Sequence, residues 1–348
     1  MTHILDALTF ATERARSIPV AAHIPGLALC AAIGGAALAI HEFSGVAALS
    51  PMILAIGLAV AVNTTIGTPP RAVPGIAVAL KRFLRLGIIL LGLQITAGQI
   101  LSMGPVALAI VSVALAATFP AMLLVGRLLG VERPLRQLIA AGTSVCGASA
   151  VIAANTVACG SDEDVAYAVA SVTLFGTLSM LAFPALGAAL GLDPVAFGVW
   201  IGATVHEVAQ VAGTAFAMGD EAGQYGTVAK LWRVVLLAPL IAVLAASARF
   251  GRISRARGSV GAGVPVPWFV VGFVALIALN SAVSIPSAAL EVAEFAATLF
   301  LAMALAAMGL QIDLRALRHR GVRPFVLAAF GWLFISAFGL AMVSASWV

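Results

Sequence analysis

Long charge-free stretches, separated by short charged segments, run along the whole chain. They cover residues 17–41, 43–70, 86–126, 137–161, 165–192, 234–248, 258–290, 295–312 and 324–348. A helix needs about 20 apolar residues to cross the hydrocarbon core of a bilayer, so most of these stretches predict a single membrane span. The stretch 86–126 is too long for one span, and the segment Ser102–Pro105 predicts a turn that divides it.

Two further spans, around His206 and Lys230, bring the predicted total to eleven helices. We expect them at about residues 20–40, 46–63, 84–102, 105–126, 136–158, 165–190, 194–217, 226–248, 266–284, 291–312 and 324–346. Composition agrees, because 62% of the residues are hydrophobic and only 9% are charged. The predicted fold class is therefore all-α: one polytopic transmembrane domain over residues 1–348, without a soluble domain or a cleaved signal peptide.

The basic residues lie on one side of this predicted topology. If the N-terminus is cytoplasmic, 17 of the 19 Lys and Arg residues fall at cytoplasmic ends and loops, where such residues collect. The outer loops then carry only acidic residues, namely Glu42, Asp162, Glu163, Asp164, Asp220, Glu221, Glu291 and Glu294. The pattern predicts a cytoplasmic N-terminus and an external C-terminus. Since the positive charge marks topology and contact with anionic lipid, we expect no nucleic-acid partner.

A short motif occurs twice. The sequence GLQI, which contains Gln94 in its first copy and Gln311 in its second, recurs at an offset of 217 residues, and the same offset relates Asn63 to Asn280. Seven helices separate the copies, so they point in opposite directions across the membrane. This arrangement predicts the inverted repeat of secondary transporters, whose binding sites lie on discontinuous helices near the midplane. The repeat units would be 20–126 and 237–346, and the central helices 136–217 have no partner.

The predicted fifth helix contains small and polar residues at its centre. Its candidate ligand residues are Gly142, Thr143, Ser144, Cys146, Gly147 and Ser149. The glycines weaken the helix, and the hydroxyls can cap the exposed N–H groups of a second half-helix, whose N-terminus would bind an anion. The alternative is that small residues only let two helices approach closely. With no CxxC motif and no metal-ligand spacing, we expect neither a metal nor another cofactor.

The predicted seventh helix carries ionisable residues at its centre. His206, Gln210 and Gly213 share one face if the helix is continuous, and Glu207 is the one acidic residue assigned to the membrane interior. Ionisable residues in a bilayer are costly and by default functional candidates, so His206 and Glu207 are predicted to carry a proton. The alternative for His206 is a hydrogen-bonded packing residue. The segment lacks the second histidine of a zinc-protease motif.

Lys230 and Arg233 share a face of the predicted eighth helix and are the two basic residues outside the cytoplasmic set. They could supply positive charge along the outward path of an anion. The alternative is that both side chains extend to the outer headgroups.

Together, GTSVCGASAVIAAN at 142–155, HEVAQVAGT at 206–214, KLWRV at 230–234 and the repeated GLQI resemble the YeiH-type family of bacterial inner-membrane proteins. Export of sulfate or related sulfur oxyanions is the role assigned to that family. The resemblance extends from about residue 20 to the C-terminus and implies a bacterial inner-membrane protein with Lys230 as its one intramembrane lysine.

The combined expectation is a secondary transporter, with no catalytic residue, that exports a small inorganic or sulfonate-like anion by proton-coupled alternating access. No Walker A motif occurs, so ATP is not expected to drive it. An anion channel is the first alternative, and an intramembrane hydrolase that pairs Ser149 with His206 is the second. A homo-oligomer stays open as a form of assembly.

The charge separation makes the topology testable. We expect a single cysteine placed in the segment 249–258 to resist impermeant thiol reagents added to intact cells, because this segment is predicted to be cytoplasmic. A single cysteine in place of Asp162 should react. The opposite labelling pattern would overturn the topology.

Overall fold

A computed structural model describes residues 20–44, 50–250, 268–311 and 321–347. Within these ranges the chain is helical and contains no strand. The all-α polytopic fold predicted from the sequence is confirmed. Three regions that carry much of the predicted cytoplasmic charge, at 1–19, 251–267 and 312–320, lie outside the described residues, and they include most of the proposed labelling loop.

The first two helices agree with the predicted spans, whereas the third does not. A 3-10 turn at Val20–His23 leads into α1, Ile24–Ser44, and α2 covers Pro51–Thr65. Helix α3 follows a 3-10 turn, Pro70–Ala72, and extends over 73–94. It comprises Val73–Val78, a π-helical turn at Ala79–Phe83, Leu84–Leu91 and a final 3-10 turn at Gly92–Gln94.

The predicted bounds of the third helix, 84–102, were therefore wrong at both ends. Lys81, Arg82 and Arg85 lie on α3 and not in a loop before it. All three side chains are exposed, while the opposite face of α3 packs against the tenth helix and buries Ile88. A helix that buries only one face can carry these charges on the other, and a search for charge-free stretches misses its first half.

Helix α4 covers Ala97–Leu128 and contains a kink at Gly104, whose φ is 72°. The turn predicted at this point is thus present as a kink inside α4, and α3 and α4 are separated at residues 95 and 96. Only glycine adopts such a positive φ at little cost.

The central helices include two interrupted ones. Helix α5 is divided into α5a, Arg133–Ser144, and α5b, Ala148–Ala158, which confirms the predicted break. Helix α6 covers Asp162–Ala189. Helix α7 is divided into α7a, Pro194–Thr204, and α7b, Val208–Ala215, followed by a 3-10 turn at Phe216–Met218. The sequence did not predict the break in α7.

The remaining helices are α8a (Asp220–Val235), α8b (Leu237–Phe250), α9 (Trp268–Ala282), α10 (Ser287–Leu310) and α11 (Val322–Trp347). The eighth helix begins six residues earlier than predicted, with Asp220 and Glu221 in its first turn, where acidic side chains complement the helix dipole. Lys230 and Arg233 consequently lie inside the helix and not near its outer end.

The described helices pack as two groups. The first helix group consists of α1, α2, α3, α9 and α10, and the second consists of α4, α5, α6, α7, α8a and α11. Helix α7b connects them, since it packs against α2 and α10 as well as against α6 and α8a. At this contact Gly213 lies against Met52 and Leu305. The interrupted helices therefore belong to one group and meet the other along α7b.

Element bounds follow the offset found in the sequence. Helices α2 and α9 begin 217 residues apart and also end 217 residues apart. Gly104 before α4 and Gly321 before α11, separated by the same offset, both have positive φ, 72° and 79°.

Contacts are repeated with the partners exchanged. Gly92 packs against Phe273 and Leu276 of α9, and Gly309 packs against Ile56 and Ala59 of α2. Adding 217 to one member of each pair and subtracting it from the other converts the first set of contacts into the second, as a two-fold axis between the units would. Superposition of 20–126 on 237–346 after inversion stays a prediction.

The close packing at these two glycines can be tested by stability. We expect Gly92→Ala and Gly309→Ala each to lower the free energy of unfolding by about 1–3 kcal/mol, because a Cβ would lie within 2.5 Å of the Phe273 carbonyl oxygen or 2.7 Å of the Ala59 Cβ. Gly57→Ala on α2 is the matched control, since its Cβ would meet nothing within 4 Å. Thermal unfolding in detergent measures the effect, and equal stability of all three variants would contradict the packing.

Candidate functional site

The two helix interruptions leave backbone groups to be paired inside the second helix group. Helix α5a ends at Ser144 and α5b begins at Ala148, while α7a ends at Thr204 and α7b begins at Val208. Each interruption exposes carbonyl groups at the end of one half-helix and N–H groups at the start of the next. In hydrocarbon such groups must be bonded within the protein.

The Lys230 ammonium pairs with a carbonyl from each interruption. Its Nζ donates hydrogen bonds to the carbonyl oxygens of Val145, at 2.8 Å, and Val205, at 2.7 Å. Lys230 is fully buried. One cation thus joins α8a to the ends of both α5a and α7a, where the helix dipoles present negative charge.

Arg233, one turn further along α8a, donates to the same two carbonyl ends. Its Nε donates to the Ser144 carbonyl at 2.7 Å, one terminal nitrogen donates to Val205 at 3.1 Å, and the other donates to Thr143. This side chain is also fully buried. The planar guanidinium suits the arrangement, because it directs several N–H donors in fixed directions.

Glu207 pairs with the opposite kind of helix end. Its Oε1 accepts a hydrogen bond of 2.6 Å from the N–H of Ala148, the first residue of α5b. A carboxylate is favourable there because the N-terminus of a helix carries positive partial charge. Gly147, with φ 67°, makes the approach possible, since any Cβ at this position would overlap the Glu207 carboxylate. The N–H group predicted to bind an anion is therefore already bonded to a carboxylate.

Gln210 fixes the start of α7b. Its Oε1 accepts from the backbone N–H of Glu207 at 3.1 Å, and its Nε2 donates to the Thr173 carbonyl and to the Thr177 hydroxyl, both at 3.2 Å. The helix α6 residue Gly176 leaves room for this amide, because a Cβ there would overlap it. Gln210 therefore anchors α7b to α6 and keeps Glu207 directed at α5b.

His206 lies in the interruption of α7 and is 1% exposed. The prediction that His206, Gln210 and Gly213 share one face of a continuous helix was wrong, because residues 205 and 207 have extended backbone and interrupt the helical period. Within the described part of the chain, His206 Nδ1 and the Ser144 hydroxyl are buried without a hydrogen-bond partner. Buried polar atoms of this kind are uncommon.

A cavity of about 630 Å³ lies between the two helix groups and extends to the α5 interruption. Cys146, Ala148, Ser149 and Glu207 line its inner part. Two basic residues of α3, Lys81 and Arg85, also line it. Most of the remaining wall is apolar, formed by Leu80, Leu84, Ile88, Ile152, Ala166, Val169, Ala170, Val208, Val234, Leu237, Phe269 and Met308.

Several predicted site residues do not reach this cavity. His206, Gln210, Lys230 and Arg233 are absent from its described lining. The expectation that Lys230 or Arg233 lies on an outward path was wrong, and extension to the headgroups is wrong too, because both side chains are bonded to helix ends in the interior. Gly142 also lies away from the lining and packs against Val151 and Val172.

The four repeat-related polar residues occupy different surroundings. Gln311 lines the cavity, whereas Asn280 donates to the Ile95 carbonyl at 3.2 Å and joins α9 to the end of α3. Asn63 accepts from the Thr68 hydroxyl at 2.8 Å, and the Gln94 carbonyl accepts from Gln224 at 3.0 Å. The structure therefore brings only Gln311 of these four to the cavity.

Lys81 and Arg85 were missed as site residues, since the sequence reading placed both in a loop. Their spacing of four residues would have placed them on one face of α3 had the helix been started at Val73. Thr173, another missed lining residue, carries no distinguishing pattern in the sequence.

The Arg233 fork provides a direct test of how the helix ends are paired. We expect Arg233→Lys to destabilise the protein by about 1.5–3 kcal/mol for each carbonyl bond that the shorter donor set cannot make. Thermal unfolding in detergent measures the loss. Arg82→Lys, on the exposed face of α3, should leave stability unchanged. A variant at Arg233 as stable as this control would show that the carbonyl bonds contribute nothing.

The chain is similar to known sequences along most of its length. The profile of the family described as Conserved hypothetical protein 698 matches residues 25–328. UPF0324 membrane protein PA5383 of Pseudomonas aeruginosa is 40% identical over 328 residues, covering 89% of this chain and 91% of the relative. UPF0324 inner membrane protein YeiH is 37% identical in Salmonella typhimurium and 35% in Escherichia coli K12, each over 90% of this chain and 91% of the relative. No solved structure matches. The chain belongs to the UPF0324 family of membrane proteins, which includes the YeiH inner membrane proteins.

Proposed function

We propose that this protein is a secondary transporter of the bacterial inner membrane that moves a small sulfonate- or sulfate-like anion together with a proton. The observation that carries the proposal is the position of Glu207: its carboxylate pairs with the start of a half-helix and also lines the cavity between the two helix groups. The inner-membrane location is supported by the names of the YeiH relatives.

Transport is supported by the architecture around the cavity. Secondary transporters bind substrates at discontinuous helices between structural repeats, and alternating access comes from movement of one bundle against the other. Here two interrupted helices lie in one helix group, and the cavity separates them from α3, α9 and α10 of the other group. A change in the contact along α7b would alter access to Glu207.

An anionic substrate is supported by Lys81 and Arg85, the two cations on the cavity lining. They attract an anion into a space whose other walls are mostly apolar. A bare sulfate would leave those walls without a partner, whereas the organic part of a sulfonate would bury apolar surface against them. Among the anions in the proposed class, the lining therefore favours sulfonates.

Glu207 supplies the coupling to protons. It is the one carboxylate on the described lining, and while ionised it repels an anion in the cavity. Protonation removes that repulsion, so proton and anion bind together and cross together. A cell that accumulates the anion would export it by this route, because the gradients of the two species set the direction.

The hydrolase alternative is not favoured by the lining. Ser149 lines the cavity, but His206, the base that would have to activate it, does not reach the described lining. A nucleophile and its base must lie within hydrogen-bonding reach of a shared substrate.

The proposal predicts a specific change in proteoliposomes. Wild-type flux of a labelled alkanesulfonate should rise when the compartment that contains the anion is acidified. Glu207→Gln should retain anion exchange and lose this pH dependence, because the amide imitates the protonated carboxyl and still accepts from Ala148. Glu291→Gln, on the exposed surface of α10, should behave as the wild type. Unchanged pH dependence in Glu207→Gln would reject the coupling, and absence of flux of any anion in the wild type would reject transport.

A further inference from the structure

A second concave site lies on the outer surface of the second helix group, apart from the Glu207 cavity. It is a groove of about 780 Å³ between α4 and α8b. One wall is the face of α4 formed by Ser112, Leu115, Ala116, Phe119, Pro120 and Leu123. The other is the face of α8b and the residue before it, formed by Leu236, Pro239, Leu240, Val243, Leu244 and Ser247.

Both walls follow helical spacing over eleven residues, so the groove is about 16 Å long. It exists because the eighth helix is divided. Helix α8a packs against α4, but after Leu236 the helix restarts as α8b, which packs chiefly against α5b. At one end a hydrogen bond of 3.1 Å from Trp232 to the Ser112 hydroxyl joins the two walls.

The other end of the groove is basic. Arg133, Arg136 and Gln137, from the first turns of α5a, complete the lining, and no Asp or Glu occurs among the described lining residues. The positive charges of Arg127 and Arg133 both act on Arg136. Three arginines with mutual repulsion at the end of an apolar groove are complementary to an anionic group that carries a hydrocarbon chain.

We propose that this groove binds an anionic phospholipid, with one acyl chain between α4 and α8b and the phosphate on Arg133 and Arg136. Basic sites between transmembrane helices at a membrane surface bind such headgroups. The apolar length suits most of one acyl chain, and the Gln137 amide can donate a further hydrogen bond to the headgroup.

The position of the site gives the lipid a route to the transport site. Arg133 and Arg136 lie at the start of α5a, and the same half-helix ends at Ser144, where Arg233 binds its carbonyl. A phosphate bound at the first turn would therefore hold the half-helix whose other end forms the junction with α7 and α8a. This lipid site does not depend on what the protein transports.

Native mass spectrometry of the detergent-purified protein tests the proposal. After addition of phosphatidylglycerol or phosphatidylcholine with identical acyl chains, we expect the wild type to retain the former and release the latter. The double variant Arg133→Gln/Arg136→Gln should bind phosphatidylglycerol roughly 10- to 30-fold more weakly. Arg71→Gln/Arg82→Gln removes the same charge from exposed positions outside the groove and should bind as the wild type.

A third variant separates the acyl-chain contact from the charge. Ala116→Trp fills the groove at an exposed position and leaves both arginines in place, so it should also weaken retention of phosphatidylglycerol. Equal retention of the two lipids by the wild type, or undiminished binding in the Arg133/Arg136 double variant, would overturn the proposal. Undiminished binding in Ala116→Trp would overturn the placement of the acyl chain. Unfolding temperatures of all variants identify any loss of binding that comes from misfolding.

Discussion

The need to pair every backbone polar group in a medium without water governs the centre of this protein. Two adjacent helices stop and restart there, and their free carbonyls and N–H groups would each be costly if left alone. Lys230 and Arg233 bind the carbonyl ends, and Glu207 binds the N–H end of α5b. The interruptions and the buried charges therefore stabilise each other, because the free helix ends supply the partners that these side chains need.

This mutual dependence also explains the small residues around the junction. Gly147 admits the Glu207 carboxylate, and Gly176 admits the Gln210 amide. Gly202 of α7a lies against Gly226 of α8a, which brings the two backbones close enough for Lys230 to reach the Val205 carbonyl. Because the charged groups share partners, removing one leaves the others uncompensated, and such losses are not additive.

Local patterns in the sequence were sufficient for the number of spans and for the break in α5, where Gly142 and Gly147 flank the interruption. The break in α7 was not predictable in this way. Residues 205–207, Val-His-Glu, are compatible with a continuous helix, and the interruption is held by partners on α8a and α6 that are distant in sequence. The same limit applies to Lys230 and Arg233. Their spacing on one face was visible, but the carbonyls that they bind exist only once α5 and α7 have been interrupted.

The position of these partners along the chain has a consequence for biosynthesis. The cations that bind the ends of α5a and α7a are on α8a, so they emerge from the ribosome after both interrupted helices. Until α8a enters the bilayer, the carbonyls of Val145 and Val205 lack their cation, and water or the insertion machinery must solvate them. The eighth helix thus completes the membrane core during synthesis, and the first seven helices form a finished interior only after it arrives.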